Sequence, residues 1–134
     1  MKINNMSESE RTYELLKKSL DAAEDRKKVI ANNLANINTK EYKRLYVTFE
    51  ETLKESKDKL KLETTDKRHI SNESEYGQIE VKRDDSTSMR KDGNNVDDVT
   101  ETVNLAANTL KYNALITELN SRMSTKRYVI SGGR

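Results

Sequence analysis

The 134-residue sequence has no cysteine, no proline and no tryptophan, and Phe49 is its one phenylalanine. Without cysteine, disulfides and thiolate chemistry are excluded, and the redox compartment is left open. Without proline, nothing rigidifies the loops. Aromatic residues make up 5% of the chain and hydrophobic residues 33%, with a mean hydropathy of −0.99, so a thick core of large side chains is not expected. No run approaches the roughly 18 apolar residues of a membrane span. The opening MKINNMSESERTYELL also lacks the apolar segment of a cleaved secretory signal, so a route out of the cytoplasm would be one without cleavage.

Charge of one sign is missing as well. The 25 basic and 23 acidic residues are interspersed and leave a net +2, so no segment makes the basic field that nucleic acid needs. His69, the one histidine, stands in a charged stretch without a second histidine or a cysteine, which points to a solvent-exposed residue rather than a ligand or base. Asp84, Asp85 and Asp92 lack the alternating ligands and closing glutamate of a calcium loop. There is no G-x-S-x-G, no phosphate-binding loop and no dinucleotide fingerprint, and carboxylate pairs such as Glu50-Glu51 have no apolar context to raise their pKa. The expectation is a protein without catalysis, cofactor, metal or small-molecule substrate.

Two long amphipathic segments are present instead. The first opens with Ser7-x-x-Glu10, the spacing of a capping box. Behind it Tyr13, Leu16, Leu20, Ala23, Lys27, Ile30, Leu34 and Ile37 alternate steps of three and four, a heptad seam broken only by Lys27, whose stem can lie on apolar surface. The second is expected to start at Asn95, with Asp97, Asp98 and Glu101 in its first turns and Arg122, Lys126 and Arg127 near its end, as a helix dipole favours. Its seam runs Leu105, Thr109, Tyr112, Ile116, Leu119, Met123, Lys126 and Ile130, widened by Val99, Val103, Ala106 and Leu110, and Gly132-Gly133 closes it.

The middle reads differently. Leu45, Val47 and Phe49 alternate with polar residues, as do Ile79 and Val81, so a short β-hairpin is one reading; Phe49, Leu53 and Leu60 at helical spacing are another. KLETTDKRHISNESEYG and DDSTSMRKDGNN are polar and predict mobile loops. The expected fold is mainly α, with two long terminal helices in coiled-coil packing and a poorly ordered middle segment. Three parts follow, an N-terminal helix and motif over 1–44, a variable middle over 45–94, and a C-terminal helix over 95–134. Periodicity alone leaves the partner of each seam open between an intramolecular hairpin, a dimeric coiled coil and a larger assembly.

One stretch of the first helix is unusual: ANNLANINTKEYKR, Ala31 to Arg44. Asparagine competes with the backbone for hydrogen bonds and weakens a helix. On a helical wheel Asn32, Asn33 and Asn36 line one flank of the seam and Ala31 and Ala35 the other. Carboxamides donate and accept, so they suit an interface with helices of other chains, and alanines let a neighbour come close. The plainer alternative is that they cap the helix exit.

Ala31, Asn32, Asn33, Leu34, Ala35, Asn36, Thr39, Tyr42, Lys43 and Arg44 together resemble the N-terminal signature of bacterial flagellar rod and hook proteins. DGNNVD (Asp92 to Asp97), Asn108, Tyr112, Ala114, Leu115 and the closing ISGGR resemble its C-terminal counterpart. One departure stands out: where that family carries Thr-Pro-Gly, this chain has Thr39-Lys40-Glu41, which predicts that helix one runs on further. The resemblance implies a structural subunit of the proximal rod in the flagellar basal body, self-assembling through its terminal helices and helping to transmit torque from motor to hook. It also implies terminal helices that order on assembly, and export through the flagellum-specific type III apparatus without a cleaved signal. The implied partners are other copies, other rod proteins, the export gate and the membrane-supramembrane ring. The expected assembly interface comprises Tyr13, Leu16, Leu20, Ile30, Asn32, Asn33, Leu34, Asn36, Ile37, Leu105, Asn108, Tyr112, Leu115, Ile116, Leu119 and Met123. A soluble coiled-coil adaptor or export chaperone forming a discrete oligomer is the alternative.

Overall fold

A computed structural model describes residues 7–59, 77–88 and 90–133. The element order is α1 (Glu8–Ala35), β1 (Leu45–Thr48), α2 (Glu50–Lys59), β2 (Glu80–Arg83) and α3 (Asp98–Ile130). His69, Leu60 and all of KLETTDKRHISNESEYG but its final Gly77 lie outside the described residues.

Helix α1 begins as its sequence dictates. The Ser7 hydroxyl accepts from the Glu10 N–H at 3.3 Å, and the Glu10 carboxylate accepts from the Ser7 N–H at 2.8 Å, so both partners of the capping box are used. These bonds hold the Glu10 carboxyl below its ordinary pKa. The other end corrects the expected run-on: α1 stops at Ala35, and the Asn36 N–H closes on the carbonyls of Asn32 and Asn33, both at 3.1 Å. A second reversal follows, in which the Tyr42 N–H donates to the Thr39 carbonyl at 3.3 Å and Glu41 takes φ 60°. That is the pattern of a type II turn, which favours proline second and glycine third. The sharp turn is therefore made without either residue, with Glu41 held in the left-handed region.

Helices α1 and α3 pack antiparallel along their length. Lys126 lies 5.4 Å from the Tyr13 ring centre, Asn108 donates to the Ala23 carbonyl at 2.8 Å, and Asn33 reaches Glu101. The two seams thus meet each other within one chain. Ala22 and Ala23 are each 1% exposed, and their small side chains permit the backbone contact that Asn108 makes. Val29, Ile30, Val47, Phe49 and Val96 complete a thin core where β1 lies on α1.

Both readings of the middle occur, one after the other. β1 pairs antiparallel with β2, Val47 opposite Val81, and Phe49 then leads into α2. The Glu50 carboxylate, at the start of α2, meets Arg26 of α1 at 2.8 Å and also Lys111 of α3, so it bridges the long helices. Burial lowers the pKa of both cations, and the charge of Arg26 lowers that of Lys111 further. Gly77 sits where a Cβ would come within 2.3 Å of the Leu53 nitrogen, so only glycine fits against the first turn of α2.

Helix α3 starts at Asp98 rather than at the expected Asn95, because Asp97 is the N-cap and accepts from the Thr100 N–H at 3.0 Å. It ends where the glycines predict, with Gly132 at φ 71° and Gly133 at φ 79° and the Gly133 N–H returning to the Tyr128 carbonyl at 3.0 Å.

Candidate functional site

The two signature stretches converge at one end of the helix pair. Asn33 is fully buried, and its amide nitrogen donates to the Leu45 carbonyl at 2.8 Å and to Glu101 at 2.9 Å, a partner 68 residues away. Its oxygen accepts from the Leu45 N–H at 2.9 Å and the Tyr42 hydroxyl at 3.2 Å, so every hydrogen-bonding position of the carboxamide is filled. Glu101, also fully buried, accepts from the Arg44 guanidinium at 2.6 Å with its other oxygen. A carboxylate out of water needs such a cation and donor to remain charged. The Tyr42 phenol has its pKa raised, first by burial and then by the Glu101 charge.

Asn94 and Asn95 extend the network from the loop before α3. The buried Asn94 amide donates to the carbonyls of Asn36 at 2.9 Å, Ile37 at 3.0 Å and Thr39 at 2.9 Å, capping the exit of α1 from a distant part of the chain. Its oxygen accepts from the Val96 N–H at 2.8 Å. Asn95 accepts from the Arg44 N–H at 2.7 Å and donates to the Asp84 carbonyl at 2.8 Å, while the Asp92 carbonyl accepts from the Glu41 N–H at 2.8 Å. The stretch expected to be a mobile loop, DDSTSMRKDGNN, is thus stitched to the turn after α1 because its polar side chains find backbone partners there.

All of the hydrogen-bond partners of Asn33 lie within its own chain. Asn36 caps the helix exit, and its amide donates back to the exposed Asn32 side chain at 2.7 Å. Of the remaining residues expected at the interface, Ile30 and Asn108 are buried between the helices. Tyr13, Leu16, Leu20, Leu34, Ile37, Leu105, Leu115, Ile116 and Leu119 are half-buried; Tyr112 and Met123 are exposed. Glu101, Asn94 and Asn95 were not among them. The available signal was the clustering of carboxamides in both signature stretches, since buried amides call for partners that the other stretch supplies.

No helix of the described residues is long and apolar enough to cross a membrane. A site made of internal amides, one ion pair and a turn holds a shape, and that fits a structural class of protein. Residues 20–43, which span the second half of α1 and the turn after it, match the family of flagella basal body rod proteins. The chain is 33% identical to the flagellar basal body rod protein FlgB of Bacillus subtilis over 92% of its own length and 95% of that protein's. It is 31% identical to FlgB of Borreliella burgdorferi, covering 82% of this chain and 88% of the relative, and 29% identical to FlgB of Proteus mirabilis, covering 92% and 96%. The chain belongs to the flagellar basal body rod protein family. It is accordingly a structural component of the flagellar basal body rod and not an enzyme.

Proposed function

We propose that the chain is a subunit of the proximal rod, assembling with copies of itself and other rod proteins through its terminal helices and helping to carry torque from motor to hook. In this reading residues 1–44 and 95–134 build the rod and 45–94 form the variable part. Asn32, Tyr112 and Met123, with the outer edges of the half-buried seam residues, supply the contacts between subunits. Export proceeds through the flagellum-specific type III apparatus without a cleaved signal, and the base of the rod meets the export gate and the membrane-supramembrane ring.

The observation that carries this reading is the amount of apolar surface left uncovered on α3, where Val99 is 71% exposed, Leu110 71% and Ile130 78%. In a chain with so few hydrophobic residues, leaving them in water is a cost that assembly removes. Deleting the gene and imaging basal bodies tests it. Cells should lose swimming and the rod, and the wild-type chain should restore both. Normal rods in the deletion strain would refute the reading.

A further inference from the structure

Two asparagines, one in each signature stretch, are left with unused bonding capacity. Asn108, 6% exposed, spends its amide nitrogen on the Ala23 carbonyl, while its Oδ1 is buried and has no partner among the described residues. A buried acceptor left empty is costly, and few native side chains carry one. Asn108 stands in the wall of a groove of about 340 Å³ between α1, β1 and α3, with Arg26, Val29, Ile30, Tyr46, Asn104 and Lys111 around it. That is roughly ten times the share of one water molecule in the liquid, room enough for a side chain from outside.

Chemistry narrows the occupant. Oδ1 only accepts, so the occupant must bring an N–H or O–H, which excludes apolar side chains and ionised carboxylates. Arg26 and Lys111 already share the single Glu50 carboxylate, and burial lowers the pKa of both, so a third cation is unfavourable beside them. A neutral amide or hydroxyl remains.

Asn32 presents one. From Arg11 to Lys28 each exposed residue of α1 is charged, but the exposed residues that follow on the helix are Ala31, Asn32 and Ala35, so the amide stands out between two small side chains that let a neighbour approach. Its oxygen accepts from Asn36 at 2.7 Å, and its N–H groups have no acceptor among the described residues. On the helical wheel Asn32 lies roughly 110° from the centre of Arg26, Val29 and Ile30, so each copy offers the amide and the groove on different sides. A contact between two different patches needs no twofold axis, and it can repeat along copies that point the same way.

We propose that the Asn32 carboxamide of one copy seats in the groove of the next and donates to its Asn108 Oδ1. The proposal rests on the reading of the chain as a self-assembling subunit. Because Asn32 lies nearer the C-terminal end of α1 than the groove residues do, like-oriented neighbours joined in this way are staggered along the helix axis.

The natural absence of cysteine allows a test that leaves both asparagines in place. Ala35→Cys, about one turn from Asn32, and Asn104→Cys, about one turn from Asn108, are made in separate chains and co-expressed; basal bodies are treated with a short bismaleimide, and cross-linked dimers are read on a gel. Dimers from the mixture, at least tenfold above either variant alone and above Ala35→Cys mixed with Glu118→Cys, are expected. Equal dimer yield from one variant alone means that like patches meet, and no dimers from the mixture means that no neighbouring α1 enters the groove; either result overturns the proposal. Asn32→Ala, competed against the wild-type chain for a place in the rod, should be incorporated about fivefold less, the worth of one ordinary hydrogen bond. Alanine is the better helix former, so such a loss is not a folding defect, and equal incorporation overturns the role of the carboxamide. If the wild-type chain is missing from basal bodies, the rod reading itself fails. The same pair is then read on the concentrated pure chains, where cross-linking confined to the mixture sustains the contact and its absence overturns it.

Discussion

The two ends of the α1–α3 pair are held by different physics. At one end Asn33, Glu101 and Arg44 form a bonded chain and Asn94 bonds to the turn after α1, and three of these four side chains are fully buried. At the other, the Lys126 ammonium lies 5.4 Å from the Tyr13 ring while Met123, Tyr128, Val129 and Ile130 stay exposed. The comparison teaches what sets register and what does not. Long-range bonds with strict geometry fix the register of the helices at one end, whereas exposed apolar side chains occur at both, Val99 and Val103 at the bonded end and Val129 and Ile130 at the other.

The comparison breaks first at Glu101. Glu101→Ala leaves Arg44 without its carboxylate and Asn33 with one of its two acceptors, and should cost roughly 3 kcal/mol in urea unfolding of the purified chain, near the lower figure for a broken buried pair because Arg44 is partly open. Asn94→Ala strips the carbonyls of Asn36, Ile37 and Thr39 of their donor; about 2 kcal/mol should be lost, with faster amide exchange confined to the turn after α1. Glu41→Gly works in the opposite direction. Removing the side chain from a left-handed position should raise stability by roughly 1 kcal/mol, read as a higher urea midpoint. At the open end, Lys126→Ala removes one exposed cation–π contact and should change stability by only about 0.5 kcal/mol. A larger loss there than at Glu101 would reverse the comparison.

Acid sharpens the same contrast. Hydrogen bonds from backbone N–H groups and neighbouring side chains hold Asp84, Asp92 and Asp97 below their ordinary pKa at the bonded end, against Glu10 at the other. A lowered folded-state pKa contributes stability above the ordinary carboxylate range that is lost as pH falls through it. Urea midpoints should therefore start to drop near about pH 5 and go on dropping as pH falls below the ordinary carboxylate values near about pH 4 and through the lowered ones, with amide exchange quickening first in the loop before α3. The raised Tyr42 phenol acts at the opposite extreme, losing its contribution as pH climbs past about 10.

Much of the fold was readable because its causes are local. Ser7 and Glu10 are three positions apart, a seam repeats every few residues, and Gly132 and Gly133 end α3 by their own freedom of backbone. The strand pair and α2 were readable as alternatives, and the chain uses both. The turn at Thr39-Lys40-Glu41 is not legible in its own residues, since neither proline nor glycine marks it and Asn94 and the Asp92 carbonyl bind it from a distant part of the chain. Glu101 looked like an acid placed for the helix dipole, and only the folded chain brings Arg44 and Asn33 to it.

By itself the sequence determined that the two terminal segments are helical and where α1 opens and α3 closes, since capping and periodicity act over one or two turns; Val99, Val103, Ala106 and Leu110, expected to widen the α3 seam, lie instead on its exposed far face. Tertiary structure alone decided that the seams meet each other inside one chain, that Asn33 turns inward and that one uncharged face of α3 stays bare. The reason is physical: a carboxamide or a buried acid is defined by its partner, and here that partner lies 68 residues along the chain.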